Sequence, residues 1–161
     1  MESNYIPKVG DYGCVKTSGF FGFLIRLGTF SRWNHAFIYA GYGKIIEANP
    51  RGVAFSSVSE YPKIAWNQHE ELNDVQREAI VFYADQTVGA PYDFFTIAVI
   101  ALRSLGLKAL ANTRLLKHLA KNRGYICSEL VAESYRKAGI VLAKEDYLCT
   151  PGDLAERLVW Q

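Results

Sequence analysis

Two β-rich runs on either side of a glycine-containing turn constrain the fold of this chain more than any other feature. Residues 35–41 read HAFIYAG, and residues 44–49 read KIIEAN. Gly41, Tyr42 and Gly43 lie where the runs meet, and such residues are typical of the short connection between antiparallel strands. The pattern therefore predicts a β-hairpin that turns on Tyr42.

The register of this hairpin predicts a contact between His35 and Glu47. A turn centred on Tyr42 places residues 37 and 47 opposite each other, so that His35 and Glu47 become diagonal neighbours on one face. Their backbones would lie about 7–8 Å apart, within side-chain reach. A slip of one residue would move Glu47 to the opposite face. The alternatives are a structural histidine bonded to a backbone group and an edge-strand carboxylate that faces water.

The rest of the chain predicts an α+β fold in one domain spanning 1–161, since no repeat, linker or low-complexity tract interrupts it. A capping box at Asn73 and Gln76 opens one helix, and Thr150 with Pro151 opens the last. The predicted apolar face of the first of these helices consists of Val75, Ala79, Phe82 and Tyr83. The other predicted segments are strands at 12–17 and 53–58, a turn at 90–93, and helices at 20–30, 74–87, 94–105, 112–124 and 127–138.

Composition is that of a globular protein, with 50% hydrophobic residues, 21% charged residues and a net charge of +2. The N-terminus lacks the basic and apolar opening of a signal peptide. The longest apolar run, 94–102, is far shorter than the roughly 20 residues that span a bilayer. We therefore expect a protein that is cytoplasmic or associated with a phage or virion particle, without a transmembrane helix.

The three cysteines, Cys14, Cys127 and Cys149, are odd in number and widely spaced. No CxxC motif or cysteine–histidine cluster indicates a metal site, so no metal or other cofactor is expected. Cys127 differs from the other two because it precedes a predicted helix. A helix start carries partial positive charge and free amides, which favour a thiolate and stabilise an oxyanion. The alternative for Cys127 is a small buried core residue.

A nucleophilic cysteine needs a base, and His35 is the best candidate among three histidines. His118 lies in a basic helical segment, and His69 lies in a polar connector. His35 opens a strand, where the backbone is fixed while the ring faces a cleft. Glu47 would then hold the imidazole tautomer and stabilise the imidazolium, as the third member of a triad does.

The strings SRWNHAFIYAGYGKIIEANPRGV, YICSELVAESYRKAGI and TPGDL resemble those of circularly permuted papain-fold hydrolases, the NlpC-like amidases of the YiiX-like branch. The resemblance runs from Val9 to Leu154 and implies an antiparallel sheet packed against the cysteine-bearing helix. It also implies that Cys127 is the nucleophile, His35 the base and Glu47 the orienting residue.

Three further residues are candidates for the substrate or oxyanion site. Asp11 lies in VGDYGCVKT, which matches the first strand of that group, and Tyr92 lies in the matching turn PYD. Tyr92 and Tyr125 would line the cleft or donate a hydrogen bond to the oxyanion. The alternative for both tyrosines is ordinary aromatic packing.

The stretch 94–124 combines an apolar helix with six cations and contains no acidic residue. It indicates a surface that contacts anionic material such as lipid headgroups. The alternative is a buried helix followed by a solvated basic helix. Nucleic acid is not expected, because no binding motif accompanies the charge. The six cations are Arg103, Lys108, Arg114, Lys117, Lys121 and Arg123.

These observations predict a cysteine hydrolase that cleaves amide or ester bonds through a thioester acyl-enzyme. Its substrate would be a peptide, a peptidoglycan-like molecule or an acylated small molecule. One alternative is a lipid acyl hydrolase or acyltransferase similar to the lecithin:retinol acyltransferase group, whose Asn-Cys-Glu-His-Phe motif is absent here. A second alternative is a catalytically silent binding or structural module.

Overall fold

The computed structural model describes residues 5–18, 31–68, 71–104, 106, 124–144 and 149–158. The strands are β1 (Tyr12–Val15), β2 (His35–Gly41), β3 (Lys44–Asn49), β4 (Gly52–Ser57) and β5 (Ala65–Trp66), with a 3₁₀ helix at Val58–Glu60. The helices are α1 (Asp74–Gln86), α2 (Phe94–Ser104), α3 (Cys127–Lys137) and α4 (Pro151–Glu156). The predicted helices at 20–30 and 112–124, together with His69 and His118, lie outside the described residues.

The strands form one antiparallel sheet in the order β4-β3-β2-β1-β5. In the central hairpin, Ile38 pairs with Ile46 and Tyr39 pairs with Ile45, which is the predicted register. Tyr42 adopts a φ of 51°, as the tight turn requires. The α+β fold class and the hairpin are therefore confirmed.

One face of the sheet packs against α3, the helix that begins at Cys127. Ile38 and Ile46 on this face share a fully buried cluster with Leu130 and Val131 of α3. Burial of each such aliphatic side chain contributes about 1.5–3 kcal/mol. The opposite face carries His35, Phe37, Ile45 and Glu47, and Trp66, Tyr61 and Ile64 contribute to the cluster that covers it. The sheet thus fixes α3 on one side and the His35–Glu47 pair on the other.

Capping signals located the helix ends well. The Asn73–Gln76 capping box is present at the start of α1, and Thr150 caps α4 with Pro151 at its first position. Helix α3 ends at Lys137, and Gly139 follows with a φ of 83°. Strand β1 ends at Val15, two residues before the predicted end.

The predicted apolar face of α1 is wrong at two of its four residues, whereas Ala79 and Tyr83 are half-buried. Val75 and Phe82 are 76% and 67% exposed, whereas Ile80 and Ala84 are fully buried. Helical spacing places Arg77 on the same stripe as Ile80 and Ala84. The Arg77 side chain is only 12% exposed because it forms an ion pair with Asp11. A charged residue therefore occupies a core-facing position, which hid this face from the hydrophobic pattern.

Within the described ranges, no helix is long and apolar enough to cross a membrane. Of the six cations in the predicted basic stretch, only Arg103 lies in a described element, α2. The proposed contact of 94–124 with an anionic surface therefore stays a prediction.

Candidate active site

The ladder between β1 and β2 fixes the backbone of His35. His35 is the first residue of β2 and pairs with Val15 of β1. The preceding Asn34 is buried, and its side-chain amide bonds Thr17 through both its oxygen and its nitrogen. The imidazole is 9% exposed, so its orientation is set by protein groups.

Glu47 lies against the imidazole, as the hairpin register predicts. His35 Nε2 donates to Glu47 Oε2 at 2.6 Å, and Glu47 is 2% exposed. Two more donors surround the carboxylate: the Tyr61 hydroxyl reaches Oε2 and the Ser56 hydroxyl reaches Oε1, each at 2.6 Å. Burial alone would raise the pKa of Glu47, but these hydrogen bonds and the charge of His35 lower it to about 2.

Neither Ser56 nor Tyr61 was predicted from the sequence. Ser56 of β4 pairs with Ile45 of β3, and Ile45 lies two residues from Glu47 along β3. A predicted register between β3 and β4 would therefore have indicated the contact of Ser56 with Glu47. Tyr61 follows the 3₁₀ helix, and no periodic pattern in the sequence indicates which way its side chain points.

Cys127 is the first residue of α3, and its side chain lies near enough to the His35 ring to affect the pKa of that ring. Because Nε2 binds Glu47, Nδ1 is the ring nitrogen that remains for Cys127. Burial disfavours the imidazolium, but the hydrogen bonds and charges of Cys127 and Glu47 outweigh it and raise the pKa of His35 to about 10. The imidazole therefore lies between a thiol and a carboxylate, and it is held in its charged form.

The start of α3 supplies backbone amides beside the thiol. Ile126 is the N-cap residue, with extended φ and ψ, and its side chain has no atom that caps the helix. The amides of Cys127 and Ser128 are in the first turn, so no carbonyl four residues back within the helix accepts them. The macrodipole adds partial positive charge at this end. A developing oxyanion here would meet N–H donors.

Tyr92 is placed close to Cys127. Burial first, and then the negative charges of Cys127 and Asp93, raise the pKa of Tyr92, so its hydroxyl stays protonated. Residues 92 and 125 form a parallel bridge immediately before α3.

Tyr125 and Asp11 point elsewhere. The Tyr125 hydroxyl lies 2.9 Å from that of Tyr83 and interacts with Glu133, about 9 Å along α3 from Cys127. The carbonyl of Asp11 accepts from the Tyr39 amide, about 13 Å along β2 from His35. The structure thus brings Cys127, His35, Glu47 and Tyr92 together, whereas Tyr125 and Asp11 face other partners.

All three cysteines are free and buried. Cys14 and Cys149 belong to the core cluster between the sheet and α3. Burial, followed by the nearby cysteines, raises the pKa of Cys14 well above its ordinary value. Cys14 is therefore a poor nucleophile.

No family model and no curated protein matches the sequence. Among solved structures, the crystal structure of the metalloprotein yiiX from Escherichia coli O157:H7 is similar, with a TM-score of 0.60 and 17% sequence identity. The match covers 95% of this chain and 83% of yiiX. At this identity the likeness shows a shared fold, so the chain has the YiiX-like α+β fold that its motifs predicted.

Proposed function

We propose that this protein is a cysteine hydrolase in which Cys127 is the nucleophile, His35 the base and Glu47 the orienting carboxylate. One observation carries the proposal: the buried ring of His35 is hydrogen-bonded to Glu47 and interacts electrostatically with Cys127 at the start of α3. Nucleophile, base and orienting group in such a chain are the parts that acyl transfer requires.

The same observation supports a permuted papain-like arrangement. In ordinary papain-like enzymes the cysteine precedes the histidine, whereas here His35 and Glu47 lie on a hairpin that precedes Cys127. The cysteine still begins a helix packed on an antiparallel sheet. In this proposal the order of the segments along the chain is changed, and the roles of cysteine and histidine are kept.

In the proposed reaction, His35 already holds at Nδ1 the proton that Cys127 has given up, and the thiolate attacks a carbonyl carbon. The amides of Cys127 and Ser128 and the hydroxyl of Tyr92 donate to the oxyanion. His35 then gives its proton to the leaving amine, which leaves a thioester on Cys127. Water, deprotonated by the now neutral His35, attacks the thioester, releases the acid and restores the pair of thiolate and imidazolium. Glu47 stays ionised and holds Nε2–H throughout.

Although yiiX is described as a metalloprotein, the residues here do not fit a metal centre. No group of three or more His, Cys, Asp or Glu side chains in the described ranges is arranged around a cation position. His35 Nε2 and Glu47 Oε2 are 2.6 Å apart. Two ligands of one tetrahedral zinc would lie about 3.4 Å apart, given metal–ligand distances of about 2.1 Å. No step of the reaction is therefore assigned to a metal.

We propose to test amide bonds in peptides, including cell-wall peptides, as substrates. A substrate-free experiment comes before them: the rate of iodoacetamide labelling at each cysteine, read by mass spectrometry. Cys127 should label fastest in the wild type and slow by about tenfold or more in His35→Ala, since the thiolate then loses its partner. Cys14 and Cys149 are internal controls.

Labelling of Cys127 at the rate of Cys14, with no response to His35→Ala, would remove the nucleophile assignment. Hydrolysis of a peptide substrate that persists in Cys127→Ala would do the same. If the labelling result fails in this way and no peptide is hydrolysed, the silent binding module is the better description of the chain.

A further inference from the structure

The two carboxylate oxygens of Glu47 are fully occupied by donors. Oε2 accepts from His35 Nε2 and the Tyr61 hydroxyl, both at 2.6 Å. Oε1 accepts from the Ser56 hydroxyl at 2.6 Å and from Asn49 Nδ2 at 3.5 Å. A carboxylate offers about four acceptor positions. It therefore cannot rotate without breaking a short hydrogen bond.

Packing holds Tyr61 independently of its hydroxyl. Its amide donates to the Val58 carbonyl at the end of the 3₁₀ helix, at 3.1 Å. Its ring stacks on Phe37, with centroids 5.1 Å apart and planes at 24°, and lies 5.6 Å from the ring of His35. The packed ring thus places the hydroxyl against Glu47.

We propose that Tyr61 is a positioning residue, whose hydroxyl, together with that of Ser56 on the other oxygen, locks Glu47 so that His35 Nδ1 faces Cys127. Its meaning for catalysis rests on the proposed hydrolase function. The geometry itself involves only the five side chains named.

The effect of the Tyr61 hydroxyl on His35 depends on which groups around Glu47 can move. Without the Tyr61 hydroxyl, the carboxylate keeps short hydrogen bonds only to Ser56 and His35, with the longer one to Asn49, and it can pivot about Oε1. The bond between Oε2 and Nε2 then lengthens, and the imidazolium loses stabilisation. Burial and the charge of Glu47 raise the pKa of Tyr61, so the phenol remains a donor throughout the working range.

The titratable groups that face His35 in the described structure are Cys127, Glu47 and Tyr61, and Glu60 acts on Tyr61 from the 3₁₀ helix. Of these, a change at Tyr61 alters neither the base, the nucleophile nor the carboxylate itself. An effect on His35 must therefore pass through the hydrogen bond to Glu47.

The test compares Tyr61→Phe with Tyr42→Phe in the full chain. Both variants remove one phenolic hydroxyl, but Tyr42 is fully exposed at the hairpin turn, whereas Tyr61→Phe keeps the ring stack on Phe37. The readout is the titration of the His35 ring by NMR, which needs no substrate. The second readout is iodoacetamide labelling of Cys127 near neutral pH.

The His35 pKa, about 10 in the wild type, should fall in Tyr61→Phe. Labelling of Cys127 should slow by about three- to tenfold, the typical effect of one lost hydrogen bond. Tyr42→Phe should match the wild type in both. Ser56→Ala should also lower the His35 pKa, and it provides the test if Tyr61→Phe does not fold.

A His35 titration in Tyr61→Phe or Ser56→Ala that overlays that of Tyr42→Phe would overturn the inference and leave Tyr61 as a packing residue. The positioning role of Tyr61 and the hydrolase function are tested by different results. A lowered His35 pKa combined with slow Cys127 labelling in the wild type would keep the positioning role and reject the hydrolase.

Discussion

At the scale of single residues, the feature that matters most at Glu47 is a carboxylate that is buried and yet stays ionised. A buried carboxylate is costly unless hydrogen bonds or a cation compensate. Here the compensation comes from three short donors, the imidazole of His35 and the hydroxyls of Ser56 and Tyr61. Each of them carries a hydrogen towards Glu47, so the site is arranged for an ionised carboxylate.

Glu47→Gln should therefore destabilise the protein although it preserves the volume of the side chain. The amide of glutamine presents an NH₂ group to a neighbour that is itself a donor, which leaves buried polar groups unpaired. The expected loss is about 1–3 kcal/mol in the free energy of unfolding, measured by urea denaturation. Glu78→Gln, on the exposed side of α1, is the matched control and should change little. Equal losses in the two variants would contradict the role given to Glu47.

The same pair predicts a dependence of stability on pH. The pKa of His35 is raised from 6.5 to about 10, so its contribution is complete below 6.5 and is lost as the pH rises towards 10. The pKa of Glu47 is lowered from 4.5 to about 2, so its contribution is complete above 4.5 and is lost as the pH falls towards 2.

The difference in unfolding free energy between wild type and Glu47→Gln should consequently be largest between pH 4.5 and 6.5. It should shrink on both sides of that window. Urea denaturation across the pH range measures it. A difference that is flat, or that grows towards alkaline pH, would show that the pair is not charged in the folded state.

At the scale of secondary-structure elements, local signals predicted what local physics controls. The capping boxes at Asn73 and Thr150 begin α1 and α4, because side-chain caps satisfy first-turn amides regardless of the rest of the chain. Hairpin register followed from the turn at Tyr42. The buried face of α1 did not follow, since the ion pair between Arg77 and Asp11 is a tertiary contact.

The observed face of α1 predicts the outcome of a paired truncation. Ile80→Ala removes a fully buried side chain and should cost about 2–5 kcal/mol. Phe82→Ala removes a larger side chain that is mostly exposed, so its effect should stay within about 0.5 kcal/mol. Chemical denaturation of the two variants measures both values. A larger loss for Phe82→Ala would restore the face predicted from the sequence.

At the scale of the whole molecule, the site is assembled from parts of unequal predictability. His35 and Glu47 meet through one hairpin, so a two-strand register was sufficient to predict their contact. Cys127 reaches them only because α3 packs on the sheet, which the resemblance implied and periodicity alone did not. Tyr61 depends on the path of the chain after β4, and no pattern in the sequence encodes that path.

The last link in this assembly is the bridge between Tyr92 and Tyr125, which places the turn at 90–93 beside the start of α3. Gly124 makes the approach possible: its φ is 140°, and a β-carbon there would overlap the carbonyl oxygen of Pro91. Gly139 also has a positive φ, but nothing lies near its missing β-carbon. Gly139→Ala should therefore cost only the backbone strain, about 1–2 kcal/mol. Gly124→Ala should lose more stability in urea denaturation and also slow iodoacetamide labelling of Cys127, because Tyr92 and the first turn of α3 are displaced together. Equal losses and unchanged labelling would mean that the bridge does not position the site.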